Sequence, residues 1–218
     1  MKPHPQHPDI YQLRIVLRDI SPLIWRRLLV RSDTTLAQLH LMIQILFDWA
    51  NEHLHHFRIF GKDYGSNGAD TGTVRLHRFG LRHGERFRYV YNYYAQWQCD
   101  IRLESTLPFD PKRYYPVCTG GQRPAPPEQV QDAWTYLVLR DEHRYPSWEA
   151  LRVLADGAQI VLEAPEHVSM RDAIGDLDEI REAMDRLELY QQFQPEAFKR
   201  CQVNAQLRTR AWAGEDEP

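Results

Sequence analysis

The chain has 218 residues, 43% apolar and 11% aromatic, enough for a packed core in one large or two small domains. Its formal charge of −3 excludes a protein drawn to nucleic acid by overall charge and leaves that role to local patches. Its three cysteines, Cys99, Cys118 and Cys201, include no CxxC pair, which excludes a disulfide framework and a standard zinc-finger signature.

Residues 1–8 read as a disordered, Pro/His-rich leader without a signal-peptide apolar region, and no apolar run approaches the ~20 residues of a membrane helix. A cytoplasmic protein with no membrane partner is the expectation. In YQLRIVL, Tyr11, Leu13, Ile15 and Leu17 alternate with Gln12, Arg14, Val16 and Arg18, a strand with one buried face. Ser21-Pro22 breaks it, and IWRRLLV makes a second strand, antiparallel to the first. The segment SDTTLAQLHLMIQILFDW predicts a helix capped by Ser32 or Asp33, with Leu36, Leu39, Ile43 and Leu46 on one side. His40 lies beside that stripe and reads as a satisfied core histidine.

HLHHFRIFG returns to strand character, and GKDYGSNGADTG reads as a mobile, turn-rich excursion. The stretch FRYVYNYYAQWQCDIRL then holds a strand pair, with Phe87, Tyr89, Tyr91, Trp97, Cys99, Ile101 and Leu103 on the packed row. Arg88, Gln98, Asp100 and Arg102 form the polar row. Six prolines within 108–130 predict an irregular loop or covering strap. Helices follow in DAWTYLVLRD, in SWEALRVLAD with Ser147 as cap, and in DLDEIREAMDRLELY with Leu177, Ile180, Met184 and Leu187 on one face. The last, PEAFKRCQVNAQLRTR, has Pro195 in its first turn and basic residues toward its end. The expected fold is α+β: a mixed or antiparallel sheet from the N-terminal half with one inserted helix, then C-terminal helices, forming one domain over 9–210 and a frayed tail at 211–218.

The succession ISPLIWRR, LHLMIQ, HLHHF, YVYNYYAQWQCDI and PVCTGGQRPAPPE resembles the plasmid Ri ORF-three-like family, some members of which are labelled TnpR-type passenger proteins of insertion elements. The resemblance spans roughly residues 9–210 and implies an α+β fold, an association with plasmids and mobile elements, and no established activity. Family members typically read Tyr-Asp-Phe-Gly-Asp-x-Trp-x-His where this chain has Tyr91, Asn92, Tyr93, Tyr94, Ala95, Gln96, Trp97, Gln98 and Cys99. Their Cys-Pro-Pro-Glu-Asp-Cys-Gly-Gly corresponds to Ala125 through Asp132, so Cys118 is the cysteine retained there. A histidine and three cysteines in that pattern suffice for a tetrahedral zinc centre, and here two of those four positions are Ala125 and Val130. No cofactor is therefore expected. Cys99 reads as a small buried apolar residue, with Cys99 and Cys118 left as weak metal-ligand or pairing candidates.

His53 and His55 have a His-x-His spacing and point one way if extended, which makes them weak metal candidates against a polar-rim reading. His83 and Arg86 match H-x-x-R, but in a glycine turn between strands, unlike the helical catalytic domain of a tyrosine recombinase. Walker, GxGxxG and GxSxG motifs are absent from the sequence. Arg14 and Arg18, with Arg26 and Arg27 on the neighbouring strand, suggest an arginine-lined sheet face, and Tyr93, Tyr94 and Trp97 suggest stacking groups in the adjoining turn. The alternative is that the arginine stems cover the sheet while their heads remain in water. The expectation is a non-catalytic binding module for nucleic acid or an element-encoded protein, its oligomeric state unspecified. A divergent enzyme with a degraded metal-dependent or recombination site is the alternative.

Overall fold

A computed structural model describes residues 8–66, 68, 70–144, 148–165, 169, 177–192, 198–210 and 212. The chain groups into two compact units, one of residues 1–133 and 196–218, the other of residues 134–195. The first unit contains β1 (Ile10–Leu17), β2 (Ile24–Arg31), β3 (His55–Ile59), β4 (Lys62–Gly65), β5 (Arg86–Tyr91), β6 (Trp97–Leu107) and β7 (Val117–Gln122). These form a seven-stranded sheet in the order β4-β3-β5-β6-β1-β2-β7, with every neighbouring pair antiparallel. The fold is α+β.

Strand alternation sends Leu13, Ile15, Leu17, Phe87, Tyr89, Cys99 and Ile101 to one face, where all are buried. The helix α1 (Leu36–Phe47) supplies the opposing layer with Leu36, Leu39, Ile43 and Leu46, the four residues its spacing predicts. Its cap is Thr35. The Thr35 hydroxyl accepts from the Gln38 amide at 3.2 Å, and the Gln38 side chain accepts from the Thr35 amide at 2.8 Å, a capping box that satisfies two donors at the helix start. Asp33, an expected cap, instead receives both guanidinium arms of Arg31, at 3.0 and 2.9 Å.

Two segments expected to be irregular form edge strands. Residues 62–65, within the excursion expected to be mobile, pair with β3, and 117–122, within the proline-rich stretch, pair with β2. An edge strand needs only one ladder of hydrogen bonds, and the window between Pro116 and Pro124 contains no proline to remove a donor. The outer side of β7 is held by α5 (Arg200–Arg208, the last helix among the described residues). Asn204 there accepts from the Cys118 amide at 2.8 Å and donates to the Cys118 carbonyl at 2.9 Å. At Gly121 an added Cβ would stand 2.5 Å from the Phe198 ring, so glycine lets that ring reach the sheet.

The second unit contains α2 (Ala133–Arg144), α3 (Glu149–Glu163) and α4 (Leu177–Gln192), longer than the predicted segments. Helices α3 and α4 meet at Gly157, where a Cβ would lie 2.7 Å from the Ile180 side chain. On α4, Ala183 is buried whereas Met184, placed on the apolar face by spacing, is half exposed. Ser147 and Pro195 lie outside the described residues; α3 is preceded by Trp148 and α5 by Lys199, neither making a side-chain cap. Among the described residues no helix is long and apolar enough to cross a membrane.

Candidate functional site: an arginine sheet face above a histidine–tyrosine–glutamate cluster

The sheet face opposite α1 carries a row of guanidinium groups. Arg27 on β2 pairs with Arg14 on β1, Arg14 with Arg102 on β6, and Arg102 with Arg86 on β5, so four arginines stand in register on consecutive strands. Directly paired residues of an antiparallel sheet share a face. The next row runs through Trp25, Val16, Asp100, Arg88 and Arg58. Arg14 and Arg27 both lie over the Trp25 ring, at 5.0 and 5.4 Å from its centre.

One carboxylate organises the row. A bulge opposite Gln12 and Leu13 of β1 leaves Glu104 without a Cα partner, between Leu103 and Ser105. Its carboxylate accepts from Arg27 at 2.6 and 3.2 Å, Gln12 at 3.0 Å and Arg102 at 3.5 Å, and lies 4.0 Å from Arg14. The hydrogen bond from Arg27, with the other donors, holds the Glu104 carboxyl below the ordinary carboxylate range. Asp100 serves Arg18 at 3.9 Å and Arg88 at 3.6 Å, and Asp63 serves Arg58 at 3.1 Å.

Arg14, Arg18 and Arg27 therefore share this outer face, but Arg26 does not. As the neighbour of Arg27 in an extended strand it must point the other way, and it is only 2% exposed. Its guanidinium lies between the rings of Phe47 and Phe198, at 5.0 and 4.0 Å, and donates to the carbonyls of Leu46 at 2.7 Å and Gln122 at 3.1 Å. Trp97 is likewise inside, 2% exposed. Of the expected stacking groups, Tyr94 is exposed at 81%, and Tyr93 meets His56 Nδ1 through its hydroxyl at 3.1 Å. Arg58, Arg86, Arg88 and Arg102 complete the face, where the sequence pattern had not placed them, although Arg88 and Arg102 sit in the polar row of their strands.

Below the sheet, α1, β3 and β5 bring together a cluster that sequence reasoning did not assemble. His40 lies between the Tyr89 hydroxyl, 2.8 Å from Nδ1, and the Asn51 side-chain Oδ1, 2.6 Å from Nε2. Nε2 must carry the proton to donate to that acceptor, so Nδ1 accepts from Tyr89, whose oxygen accepts in turn from Gln44 at 2.8 Å. The His55 ring stacks on His40 with centroids 3.5 Å apart and planes within 4°. Burial lowers His40 to about 4, and burial with the neighbouring His40 lowers His55 to about 3. Both are neutral at pH 7.

The Tyr91 hydroxyl donates to the Glu128 carboxylate, which also accepts from the Ala50 amide and lies 3.7 Å from His53. Trp49 stacks on Tyr91 and donates from its indole to the Pro126 carbonyl at 3.2 Å. Residues 126–128 are thus fastened over the cluster, and the Pro-Pro-Glu of the family pattern was the available signal. Burial pushes the phenols of Tyr89 and Tyr91 well above their ordinary value.

His53 and His55 do not form a pair of ligands. The strand starts at His55, leaving His53 in the preceding loop beside Glu128 while His55 turns inward onto His40. Cys99 is fully buried beside Tyr89, and burial drives its thiol far upward; Cys118 is buried on β7. Three strand spacings separate β6 from β7, roughly 14 Å, so these two cysteines can neither bond nor share an ion. Among the described residues no three His, Cys, Asp or Glu side chains converge as metal ligands.

Comparison with known proteins places this architecture. The family described as Plasmid pRiA4b ORF-3-like protein matches residues 9–158. The uncharacterized protein y4hQ of Sinorhizobium fredii (strain NBRC 101917 / NGR234) is 28% identical over 149 residues, covering 65% of this chain and 76% of that protein. The crystal structure of a protein of unknown function, MM3350 from Methanosarcina mazei Go1, superposes with a TM-score of 0.66 at 27% identity, covering 90% of this chain and 98% of that one. Since the matched residues hold all seven strands, α1, the arginine face and the buried cluster, the chain belongs to the plasmid pRiA4b ORF-3-like family.

Proposed function

We propose that the protein is a non-catalytic accessory module that binds single-stranded nucleic acid on the outer face of its sheet. The supporting observation is the in-register row Arg27, Arg14, Arg102 and Arg86. Like charges placed directly opposite one another across strands destabilise a sheet, and Glu104 offsets only part of that repulsion. An arriving chain of phosphates would relieve the remainder. Trp25, flanked by two of these arginines, and the exposed Tyr94 offer rings for base stacking, which is worth about 1–3 kcal/mol per base in single-strand binders. A binder rather than a catalyst fits the buried phenols and the thiols of Cys99 and Cys118, since burial holds all of them away from the ionised, nucleophilic form.

Four phosphate contacts on a single strand predict that log affinity falls against log salt with a slope near −3, at about −0.7 per contact. Fluorescence anisotropy with a labelled oligonucleotide between about 50 and about 200 mM salt measures it. Replacing Arg14 and Arg86 by Gln should weaken binding and flatten the slope by about 1.4. Undetectable or salt-independent binding by the intact chain overturns the proposal.

A further inference from the structure

A second group of cations lies where α5 packs on β7. The cleft there has a volume of about 600 Å³, within the range of roughly 300–1,000 Å³ typical of small-molecule sites. Lys112, Arg113, Arg200 and Arg208 line it, Tyr114 contributes an aromatic wall, and among the described residues no carboxylate lines it. Asp110 approaches Arg113 at 3.6 Å, whereas Lys112 and Arg208 have no ion-pair partner among the described residues. Four cations around one recess, with a single peripheral acid among the described residues, repel one another, a cost that a multiply charged anion removes.

The walls are held in place without a ligand. Asn204 clamps the helix to both backbone groups of Cys118, and Arg200 donates from Nη1 to the Thr119 carbonyl at 3.0 Å, which fixes the guanidinium over the strand edge. A preset arginine fork matches phosphate oxygens, and little ordering remains to be done on binding. The volume suits one nucleotide rather than a polymer.

We propose that this cleft binds a small phosphorylated ligand of nucleotide size, its phosphates held by Lys112, Arg113, Arg200 and Arg208 and its less polar part resting on Tyr114. The cleft carries its own reporter. Cys201 is exposed and lines it, whereas Cys99 and Cys118 are buried, so alkylation by iodoacetamide reads Cys201.

Calorimetric titration of the full chain with ADP, pyrophosphate and adenosine tests the site. ADP is expected to bind, pyrophosphate to compete with it, adenosine to give no heat, and ADP to slow Cys201 alkylation. The double variant Lys112→Gln, Arg208→Gln touches no hydrogen bond that builds the cleft and should weaken ADP by about tenfold or more. Arg14→Gln, on the sheet face, should leave ADP affinity unchanged, which separates this site from the nucleic-acid surface. Absence of both heat and Cys201 protection with ADP, or equal affinity in the native chain and the double variant, overturns the proposal.

Discussion

His40 shows how one residue becomes legible only with its partners. Spacing on α1 places it beside the apolar stripe, and its burial between Tyr89 and Asn51 keeps it neutral. Its folded value lies below the unfolded 6.5, so below that pH the unfolded chain takes up a proton the native chain refuses, and stability falls as pH drops from about 6.5 toward about 4. The full effect of His40 is on the order of 3 kcal/mol. Urea midpoints at pH 7 and about pH 5 should therefore separate in the native chain and lie closer together in His40→Gln; equal separation in both would exclude a buried neutral imidazole. Arg26 gives the complementary case. Arg26→Met keeps the stem but leaves the carbonyls of Leu46 and Gln122 without their donor, for an expected loss of about 1–3 kcal/mol in denaturant melts. Because Arg26 is inside, nucleic-acid affinity of the folded variant should not change, and a drop matching that of the outer arginines would contradict its placement.

At the scale of elements, the proline-rich stretch shows what propensity misses. Six prolines forecast irregularity over 108–130, yet β7 forms because an edge needs one ladder, Gly121 admits the Phe198 ring, and Asn204 satisfies the exposed side. Beyond it, Pro126 to Glu128 act as a clasp that joins the Trp49–His53 loop to β5 through Ala50 and Tyr91. Glu128→Gln replaces charge-assisted hydrogen bonds with neutral ones, and a loss of roughly 1.5–3 kcal/mol follows if they carry the attachment. Hydrogen exchange should find the Ala50 amide losing protection ahead of the strand amides of β1. Unchanged exchange at Ala50 would show that packing of Trp49 alone holds the clasp.

On the whole molecule, a chain of net charge −3 concentrates positive charge on one sheet face. Among the described residues, seven arginines there, Arg14, Arg18, Arg27, Arg58, Arg86, Arg88 and Arg102, face three carboxylates, Asp63, Asp100 and Glu104. Glu104 both stabilises the row and competes with any phosphate for the same donors. Glu104→Gln should accordingly lower the denaturation midpoint while raising oligonucleotide affinity severalfold at low salt, an increase that fades as salt screens the face. Lower affinity in the folded variant would mean that the ordered row, and not its charge, recruits the ligand.

The sequence by itself determined what period and local chemistry govern: the strand parities that bury Cys99 and turn Arg14 outward, the helical stripe of α1, the succession of strands before helices, and the family. These depend on neighbours within a turn of helix or two residues of strand. Tertiary structure alone decided that Arg26 faces Phe47 and Phe198, that four arginines from four strands fall in one row, that Glu128 meets Tyr91, and that β7 and α5 enclose a cationic cleft. Each of these joins residues tens of positions apart, and their meeting depends on strand order and register, which local pattern does not encode.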